Sequence, residues 1–448
     1  MLLGESLFLG GEAAESVLRT YSGKFLNGGS LVDGNVHMSL PTRLNNGYWL
    51  WPVAVTNANF DGGGEAFLHR FTFAQTSETE VDFSAPQHSG AQGNYYPGTG
   101  GNYMMVWGAF ASYYLTSLNF NGTSFSSAAL GFVYGYDFNY SWDKIIVGQG
   151  SDGHLLYLEN GSGGPQSGVS KVNPDTATVV ERWGVQRPGA TFSKSQDGAK
   201  WLCRNGGHQY MEYNSDMKGG LYAEFSWGVQ GTTVTAGSSA YNVYAGNTNG
   251  DGYSNQPCFF VAPRGVMTPF RQIVLNWSGI TWGIVRQCLP SPTNPNHFFF
   301  VATGGSTAGG VDSSTVMLIG CIDVQTEQLV WRRQLTSNAN NPQFTLQGFK
   351  LIENQLRICF RDAIALGNRF QSRVLDVPSD NTFPIISMPG KLNISTGTVS
   401  ITTTSVIPQS VQSISVTSAN YQTSGTNSAQ SFPATTANRL SFTGLDTL

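Results

Sequence analysis

The segment from Asn247 to Gly252 carries the residue types of a calcium-binding loop. Asn247, Asn249 and Asp251 place side-chain oxygens at alternate positions, and a glycine follows, as at the start of such loops. Two of these three ligands are neutral, and the twelfth position is Cys258 rather than a glutamate. The pattern predicts either a weak Ca²⁺ site on these three side chains or a polar loop between two strands.

A glycine-rich aromatic stretch is the best candidate for a binding surface. Tyr95, Tyr96 and Tyr103 lie close together among glycines and asparagines. Tyrosine rings in such stretches stack on sugars and anchor protein interfaces, and they also occur at the edges of a core. The stretch therefore predicts a binding site for a glycan or for another protein.

Motifs that would indicate catalysis are missing from the sequence. It contains no nucleophile elbow GxSxG, no phosphate-binding loop and no dinucleotide fingerprint, and its six histidines lack HxH and HExxH spacing. The sequence does not exclude a pair of carboxylates for glycoside hydrolysis, because acids that meet only in the fold leave no local motif. We expect a protein that is not an enzyme and needs no cofactor.

Cysteine usage points to a reducing compartment. The number of cysteines is odd and no two form CxxC, which argues against disulfide pairing and a zinc site. All five lie in apolar runs: Cys203, Cys258, Cys288, Cys321 and Cys359. They are expected to be small apolar residues inside strands of a chain made in a cytosol.

Charge is scarce along the whole chain. Only 12% of its 448 residues are charged, against about 25% in ordinary proteins, while 54 are glycine. Coiled coils and charged disordered chains are excluded by this composition, and the lack of a three-residue glycine period excludes collagen. A net charge of −4 is too weak to attract nucleic acid, and no apolar run is long enough to insert in a membrane. We also read no signal peptide.

The pattern of apolar residues predicts an all-β fold. Short runs of β-branched and aromatic residues alternate with Gly, Asn, Asp and Ser about every 8–12 residues, which is typical of sandwiches, barrels and propellers. A single stretch, Glu12–Arg19, has the pattern of a short helix. We expect it within an N-terminal segment of residues 1–30.

A repeat in the sequence distinguishes a propeller from a sandwich or a barrel. Strand–turn–strand units end near tryptophans 183, 227, 282 and 331, which are 44, 55 and 49 residues apart. One four-stranded propeller blade has about this length. The unit ending at Trp331 resembles the repeats of quinoprotein-like propellers, and the segment Phe192–Trp201 resembles the Asp-Gly hairpin of WD40-like propellers. The resemblance implies a β-propeller of six to eight blades over residues 31–384, with stacked β-sandwiches as the alternative.

The composition changes at the C-terminal end. By our count residues 391–448 contain three charges, Lys391, Arg439 and Asp446, and are rich in Ser and Thr. Apolar and polar residues alternate in this segment as they do in half-buried strands. Residues 385–448 are therefore expected to form a small β-domain or an arm, ordered by the propeller or by a neighbouring chain.

In composition and strand pattern the whole chain resembles tailed-bacteriophage virion proteins. Its surface is uncharged and polar, it is rich in β-structure, and it ends in a Ser/Thr-rich strand segment. Some phage tail tubes and nozzles are similar in carrying propeller domains. The resemblance implies a structural tail protein (nozzle, hub or tail tip) that is made in the host cytoplasm and works in the virion.

The partners implied are other tail proteins and copies of the same chain in a ring, with a host-surface glycan as a further option. One alternative function is a carbohydrate- or receptor-binding propeller at the tail tip. A second is a propeller enzyme that degrades polysaccharide.

Overall fold

The fold is described from a computed structural model. It covers residues 16–27, 29–38, 42–43, 49–56, 64–71, 81–84, 93–97, 103–109, 112–120, 125–134, 146–150, 152–160, 166–173, 175, 178–186, 191–205, 208–226, 230–248, 255–306, 314–337, 344–352, 354–363, 370–388, 392–417, 428–432 and 440–447.

These residues contain 35 β-strands and no helix, so the prediction of an all-β protein is confirmed. The first ten are β1 Val17–Asn27, β2 Ser30–Met38, β3 Thr42–Arg43, β4 Trp49–Thr56, β5 Gly64–Phe71, β6 Val81–Ser84, β7 Gly93–Pro97, β8 Tyr103–Ala109, β9 Ser112–Phe120 and β10 Phe125–Tyr134. The next eight are β11 Ile146–Gln149, β12 Leu155–Asn160, β13 Gln166–Asn173, β14 Thr178–Gln186, β15 Thr191–Lys194, β16 Lys200–Asn205, β17 Gln209–Asn214 and β18 Gly219–Glu224.

Strands of similar length continue through the second half of the chain. They are β19 Gln230–Gly237, β20 Tyr241–Asn247, β21 Pro257–Pro263, β22 Phe270–Trp277, β23 Trp282–Pro290, β24 His297–Gly305, β25 Val316–Asp323, β26 Gln328–Ser337, β27 Phe344–Ile352, β28 Gln355–Ala363 and β29 Phe370–Pro378. The last six are β30 Ile386–Met388, β31 Leu392–Ser395, β32 Val399–Val406, β33 Ser410–Thr417, β34 Ser428–Phe432 and β35 Leu440–Thr447. In the same residues no helix is long and apolar enough to cross a membrane.

The strands form five sheets in a propeller-like arrangement. Along the chain they are a ten-stranded sheet (β27-β28-β29-β1-β2-β4-β5-β6, with β3 and β35 beside it) and a five-stranded sheet (β34-β10-β9-β8-β7). A nine-stranded sheet follows (β11-β12-β13-β14-β33-β18-β17-β16-β15), then a five-stranded sheet (β19-β20-β21-β22-β32) and a six-stranded sheet (β23-β24-β25-β26-β31-β30).

Five blades are fewer than the six to eight expected from the repeat. The difference arises because two strands each pair with two antiparallel meanders. β1 pairs with β29 and with β2, and β33 pairs with β18 and with β14. Meanders that the repeat length predicts as separate blades are thereby joined into the ten- and nine-stranded sheets.

Neighbouring sheets pack face to face, which buries both sides of their central strands. On β25, Met317 and Ile319 belong to the apolar layer shared with β27–β29, whereas Leu318 and Ile322 belong to the layer shared with β20–β22. A strand buried on both faces needs an unbroken apolar run rather than an alternating one. This explains the continuous run 298–302 in β24, whose residues are all buried.

The tryptophan repeat is reproduced in part. Trp183 on β14 and Trp331 on β26 each lie on the last strand of an antiparallel hairpin within one sheet. The copy assigned to Trp282 is wrong, because Trp282 begins β23 and the preceding strand β22, which ends at Trp277, belongs to another sheet. Trp227 lies outside the described residues. The sequence spacing alone could not separate a turn within a sheet from a connection between sheets.

The N-terminal strand completes the sheet formed by the last three strands before the C-terminal segment. Val17 pairs with Asp376 and Tyr21 with Ser372, so β1 lies beside β29. The helix expected over 12–19 is therefore wrong for Val17 to Arg19, and residues 12–15 lie outside the described residues. Leu18 is fully buried in the apolar layer of this sheet, and this tertiary pairing outweighs the local helical pattern.

The strands after residue 385 run back along the sheets in reverse chain order. β31 pairs with β26, β32 with β22, β33 with β18 and β14, β34 with β10, and β35 with β1. Each of the five sheets thus contains at least one strand of this segment, which we call the C-terminal arm (residues 386–447). Pairing of this kind covers strand edges that would otherwise be open.

The five cysteines are buried and none is in a disulfide, as expected for apolar residues inside strands. Burial raises the pKa of Cys359 to about 12, with smaller and opposing contributions from Arg357 and Asp376. Such a thiol stays protonated at neutral pH and is a packing residue.

Candidate functional site

The three tyrosines expected to bind a ligand lie on two adjacent strands. Tyr95 and Tyr96 are on β7 and Tyr103 begins β8. In the antiparallel register Tyr96 is opposite Met104, and Tyr103 is opposite Pro97. The fold therefore brings the three positions to one end of a single strand pair, and their use in binding stays a prediction.

The expected calcium loop is described only at its first residue. Asn247 ends β20 between β19 and β21, where it is buried and pairs with Gln230 and Pro257. Asn249 and Asp251 lie outside the described residues. Within the described part of the chain, no group of three or more His, Cys, Asp or Glu side chains could hold a metal ion. The Ca²⁺ site stays a prediction.

A turn predicted from sequence carries an extensive set of polar contacts. The hairpin between β15 and β16 turns at Asp197-Gly198, and Gly198 adopts a φ of +71°, which confirms the expected Asp-Gly turn. Ser195 closes it: its hydroxyl donates to Asp197 Oδ1 at 2.7 Å and accepts from the Lys200 amide at 2.9 Å. The Asp197 carboxylate is thereby held at the rim of the sheet.

Asp197 also connects this sheet to the next one. Arg264, in the turn between β21 and β22, donates to Asp197 Oδ2 at 2.6 Å and to the Ser238 carbonyl at 3.1 Å. Partial burial by itself would raise the pKa of Asp197, but hydrogen bonds from Arg264, Ser195 and the Ala199 amide lower it to about 2. The carboxylate is ionised at neutral pH and binds the two turns together.

A buried glutamate lies behind this turn. Glu212 on β17 is fully buried. Its carboxylate lies 2.9 Å from Lys200 Nζ and accepts hydrogen bonds from Asn242 Nδ2 at 2.5 Å and from the Gly265 amide at 2.8 Å. A buried carboxylate is tolerated only when it is paired and hydrogen-bonded in this way.

The turn above Glu212 has an unusual backbone. Gly265 and Met267 have φ values of +75° and +57°. Met267 is fully buried, and its sulfur accepts a weak hydrogen bond from Asn242 Nδ2 at 3.6 Å and lies 3.8 Å from the hydroxyl oxygen of Tyr244. Burial, and then the nearby Glu212 carboxylate, raise the pKa of Tyr244 well above its ordinary value. The phenol stays neutral and donates to the Met211 carbonyl at 2.9 Å.

Together these groups form what we call the rim cluster, defined by Asp197, Lys200, Glu212, Asn242, Arg264 and Gly265. Its contacts run between the sheet of β15–β18 and the sheet of β19–β22. Each charged member has a partner of opposite sign within ion-pair distance. The arrangement fixes the mutual position of two sheets. The Asp197 side chain is 42% exposed, whereas the Arg264 side chain is only 13% exposed.

A second Asp-Gly turn, Asp152-Gly153, lies between β11 and β12. Asp152 forms an ion pair with Lys171, and His154 Nδ1 lies 3.5 Å from the same carboxylate. Lys194 donates to the Gln149 carbonyl at 2.6 Å and lies over the ring of Trp201. Burial lowers the pKa of Lys194, partly offset by Asp152. Unlike the first turn, this one contacts a neighbouring meander of its own nine-stranded sheet, through Lys194 on β15.

The sequence offered a signal for only some of these residues. The Asp-Gly dipeptide marks both turns, so Asp152 could have been found by the same rule that found Asp197. Glu212 could be suspected only from a charge inside the otherwise apolar run 210–213. Arg264 and Asn242 carry no local signal, because their partners are distant in sequence.

No family model and no curated protein matches this sequence. Among solved structures, it is similar to prolyl oligopeptidase B from Galerina marginata, solved with a hydrolysis and macrocyclization substrate. The TM-score is 0.35 at 9% identity, and the match covers 82% of this chain and 51% of that chain. The chain thus spans about half the length of this solved structure. The likeness is too low to indicate an activity or a site.

Proposed function

We propose that the chain is a structural component of a bacteriophage virion, a tail protein of the nozzle, hub or tip type that works in an assembly. One observation carries the proposal: a C-terminal arm without any charged residue between 392 and 438 lies along the sheets and exposes Ser, Thr, Ile and Val side chains. A solitary protein gains solubility from surface charge, and this surface has little of it. Faces of Ser and Thr instead suit hydrogen bonding across wet interfaces.

Exposed apolar side chains support the same proposal. Four of the seven exposed large apolar side chains of the described residues belong to the arm or its approach: Ile385, Ile407, Val411 and Val416. Ile407 is 77% exposed. Clustering of exposed apolar groups on one segment is typical of a surface that contacts other proteins.

Blade number forms a finer part of this proposal. We propose that the propeller is built from seven four-stranded repeats, two pairs of which are joined into larger sheets: β1 with β27–β29, β2 with β4–β6, and then β7–β10, β11–β14, β15–β18, β19–β22 and β23–β26. Sevenfold pseudosymmetry in a cryo-electron microscopy map would support this count. A map with five separated blades would contradict it.

Particle composition tests the proposed function directly. Virions purified from the source should contain the chain at a fixed stoichiometry in quantitative mass spectrometry, and gold-labelled antibodies should bind at the tail. Presence of the chain only in the lysate, with none in purified particles, would overturn the proposal.

A glycan-binding function is the second candidate, and the register of β7 and β8 favours it. Tyr103 is opposite Pro97 and alternate strand residues share a face, so the Tyr95 and Tyr103 positions belong to one face of the strand pair and Tyr96 to the other. Two tyrosine positions on one face suit sugar stacking. Binding on a glycan array that is lost in a Tyr95→Ala/Tyr103→Ala variant would support this function. Unchanged binding by that variant would contradict the tyrosine assignment. The expectation that the chain is not an enzyme stays a prediction.

A further inference from the structure

The arm strand β32 has an edge that is paired on one side only. β32 pairs with β22 over eight consecutive positions, from Val399 opposite Trp277 to Val406 opposite Phe270, without a bulge. It is the last strand of its sheet, and among the described residues no strand pairs with its other edge.

The direction of its backbone groups follows from one hydrogen bond. The Ser278 amide donates to the Thr398 carbonyl at 3.0 Å, and this pair continues the register of β22 and β32. In an antiparallel ladder, residues alternate between bonding the partner strand and facing away from it. Even-numbered residues of β32 therefore bond β22, and Val399, Ile401, Thr403 and Ser405 direct their N–H and C=O groups to the open edge.

This edge lacks the features that normally prevent strand addition. β32 contains no charge, no proline and no bulge, and its sequence VSITTTSV has high β-propensity. The neighbouring arm strand β33 differs, because it contacts two strands: residues 410–415 pair with β18, and residues 416 and 417 pair with β14. An eight-residue open edge of this composition is expected to be covered in the working state of the protein.

We propose that β32 pairs antiparallel with β32 of a second copy of this chain. This inference rests on the proposed function only in assuming an assembled protein. Two identical strands related by a twofold axis place like residues near one another, which penalises charged strands and leaves an uncharged one unaffected. With Thr403 opposite Thr403, outward-facing backbone groups meet each other, Ile401 faces Ser405, and no charges are opposed.

The flanking residue extends this contact. In the same register Val399 of one copy lies opposite Ile407 of the other. Ile407 is 77% exposed in the single chain, and Val399 is half-buried. Pairing would bury the exposed isoleucine at both ends of the joined sheet. The joined sheet would contain ten strands, five from each copy.

Sedimentation velocity and light scattering of the full chain over a concentration series test the proposal. Wild type should dimerise reversibly. Thr403→Pro removes an outward N–H without touching the ladder to β22 and should weaken dimerisation at least about tenfold, because two symmetric hydrogen bonds are lost. Thr403→Val, which keeps the N–H and the branched side chain, should dimerise like wild type.

Hydrogen exchange on the wild-type protein tests the same contact even if the Thr403→Pro variant fails to fold. In wild type, amide exchange across residues 399–405 should slow as protein concentration rises. A monomer at every concentration would overturn the proposal, and this is the result expected if a strand from another protein occupies the edge. A folded Thr403→Pro protein that dimerises like wild type would also overturn it. Particle composition is measured separately, so a chain present in virions without β32 pairing would leave the proposed function intact.

Discussion

The guanidinium of Arg19 on β1 donates a hydrogen bond to the carboxylate of Asp376 on β29, 357 residues further along the chain. Arg357 on β28 binds the same carboxylate through two hydrogen bonds of 2.6 and 2.7 Å. All three side chains are buried. This contact joins β1 to the strands β28 and β29, and it accompanies the backbone pairing of β1 with β29.

Replacing Asp376 by alanine should therefore destabilise the whole fold. Two buried guanidinium groups would lose the charge of Asp376, and breaking a buried pair in this way costs about 3–5 kcal/mol of the free energy of unfolding. Chemical denaturation monitored by tryptophan fluorescence would measure it. The matched control is Glu327→Ala, which breaks the half-buried pair with Arg271 and should cost about 1 kcal/mol or less. Equal losses in the two variants would contradict the proposed role of the buried pair.

Glu212 should be equally sensitive, for a different reason. Glu212→Ala leaves the Gly265 amide and the Asn242 amide without their common acceptor, while Lys200 still donates to Asn214. About 2–5 kcal/mol should be lost, because each orphaned buried donor costs about 1–3 kcal/mol. Glu212→Gln keeps an acceptor oxygen and should lose less. Thermal unfolding compares the two variants, with Glu181→Ala at an exposed ion pair as the control. A wild-type melting temperature for Glu212→Ala would refute the assigned contacts.

The Asp197 contact should depend on pH in a defined direction. Its folded pKa of about 2 lies below the ordinary value of 3.8, so its contribution is fully present above the ordinary value and disappears as the pH falls towards 2. The side chain is 42% exposed, so solvent screening limits the effect to at most about 1 kcal/mol.

Urea unfolding of wild type and Asp197→Asn between pH 6 and pH 2 would show this dependence. The difference in stability between the two proteins should be largest near pH 6 and should shrink through this window. A difference that stays constant over the whole range would show that the carboxylate charge does not act at this contact.

Removal of the arm should leave the sheets with open edges. A chain of residues 1–388 lacks β31–β35, which exposes the edge strands β26, β22, β18, β10 and β1 and removes the buried side chains of Leu392 and Ile394. We expect a lower melting temperature and increased light scattering, because open strand edges aggregate. Addition of the fragment 389–448 in trans should reverse both effects. Full stability of the truncated chain would contradict a role of the arm in the fold.

Part of the fold follows from local sequence. The alternation of β-branched residues with turn residues indicates an all-β protein, and Asp197-Gly198 indicates a hairpin, because the φ of +71° at Gly198 is favourable for glycine in any context. The apolar runs around the cysteines likewise indicate buried strands. These features depend on residue type and short spacing, so they need no knowledge of distant partners.

The sequence by itself determined the fold class, the turns and the apolar strands that form the core. Tertiary structure decided that Val17–Arg19 is a strand, that Trp282 begins a new sheet, that Glu212 meets Asn242 and Gly265, and that the arm runs back over every sheet. Backbone hydrogen bonds between strands are the same for any residue, so the choice of strand partner is set by the packing of whole sheets. Local spacing therefore predicts that a strand exists and carries little information about which edge it covers.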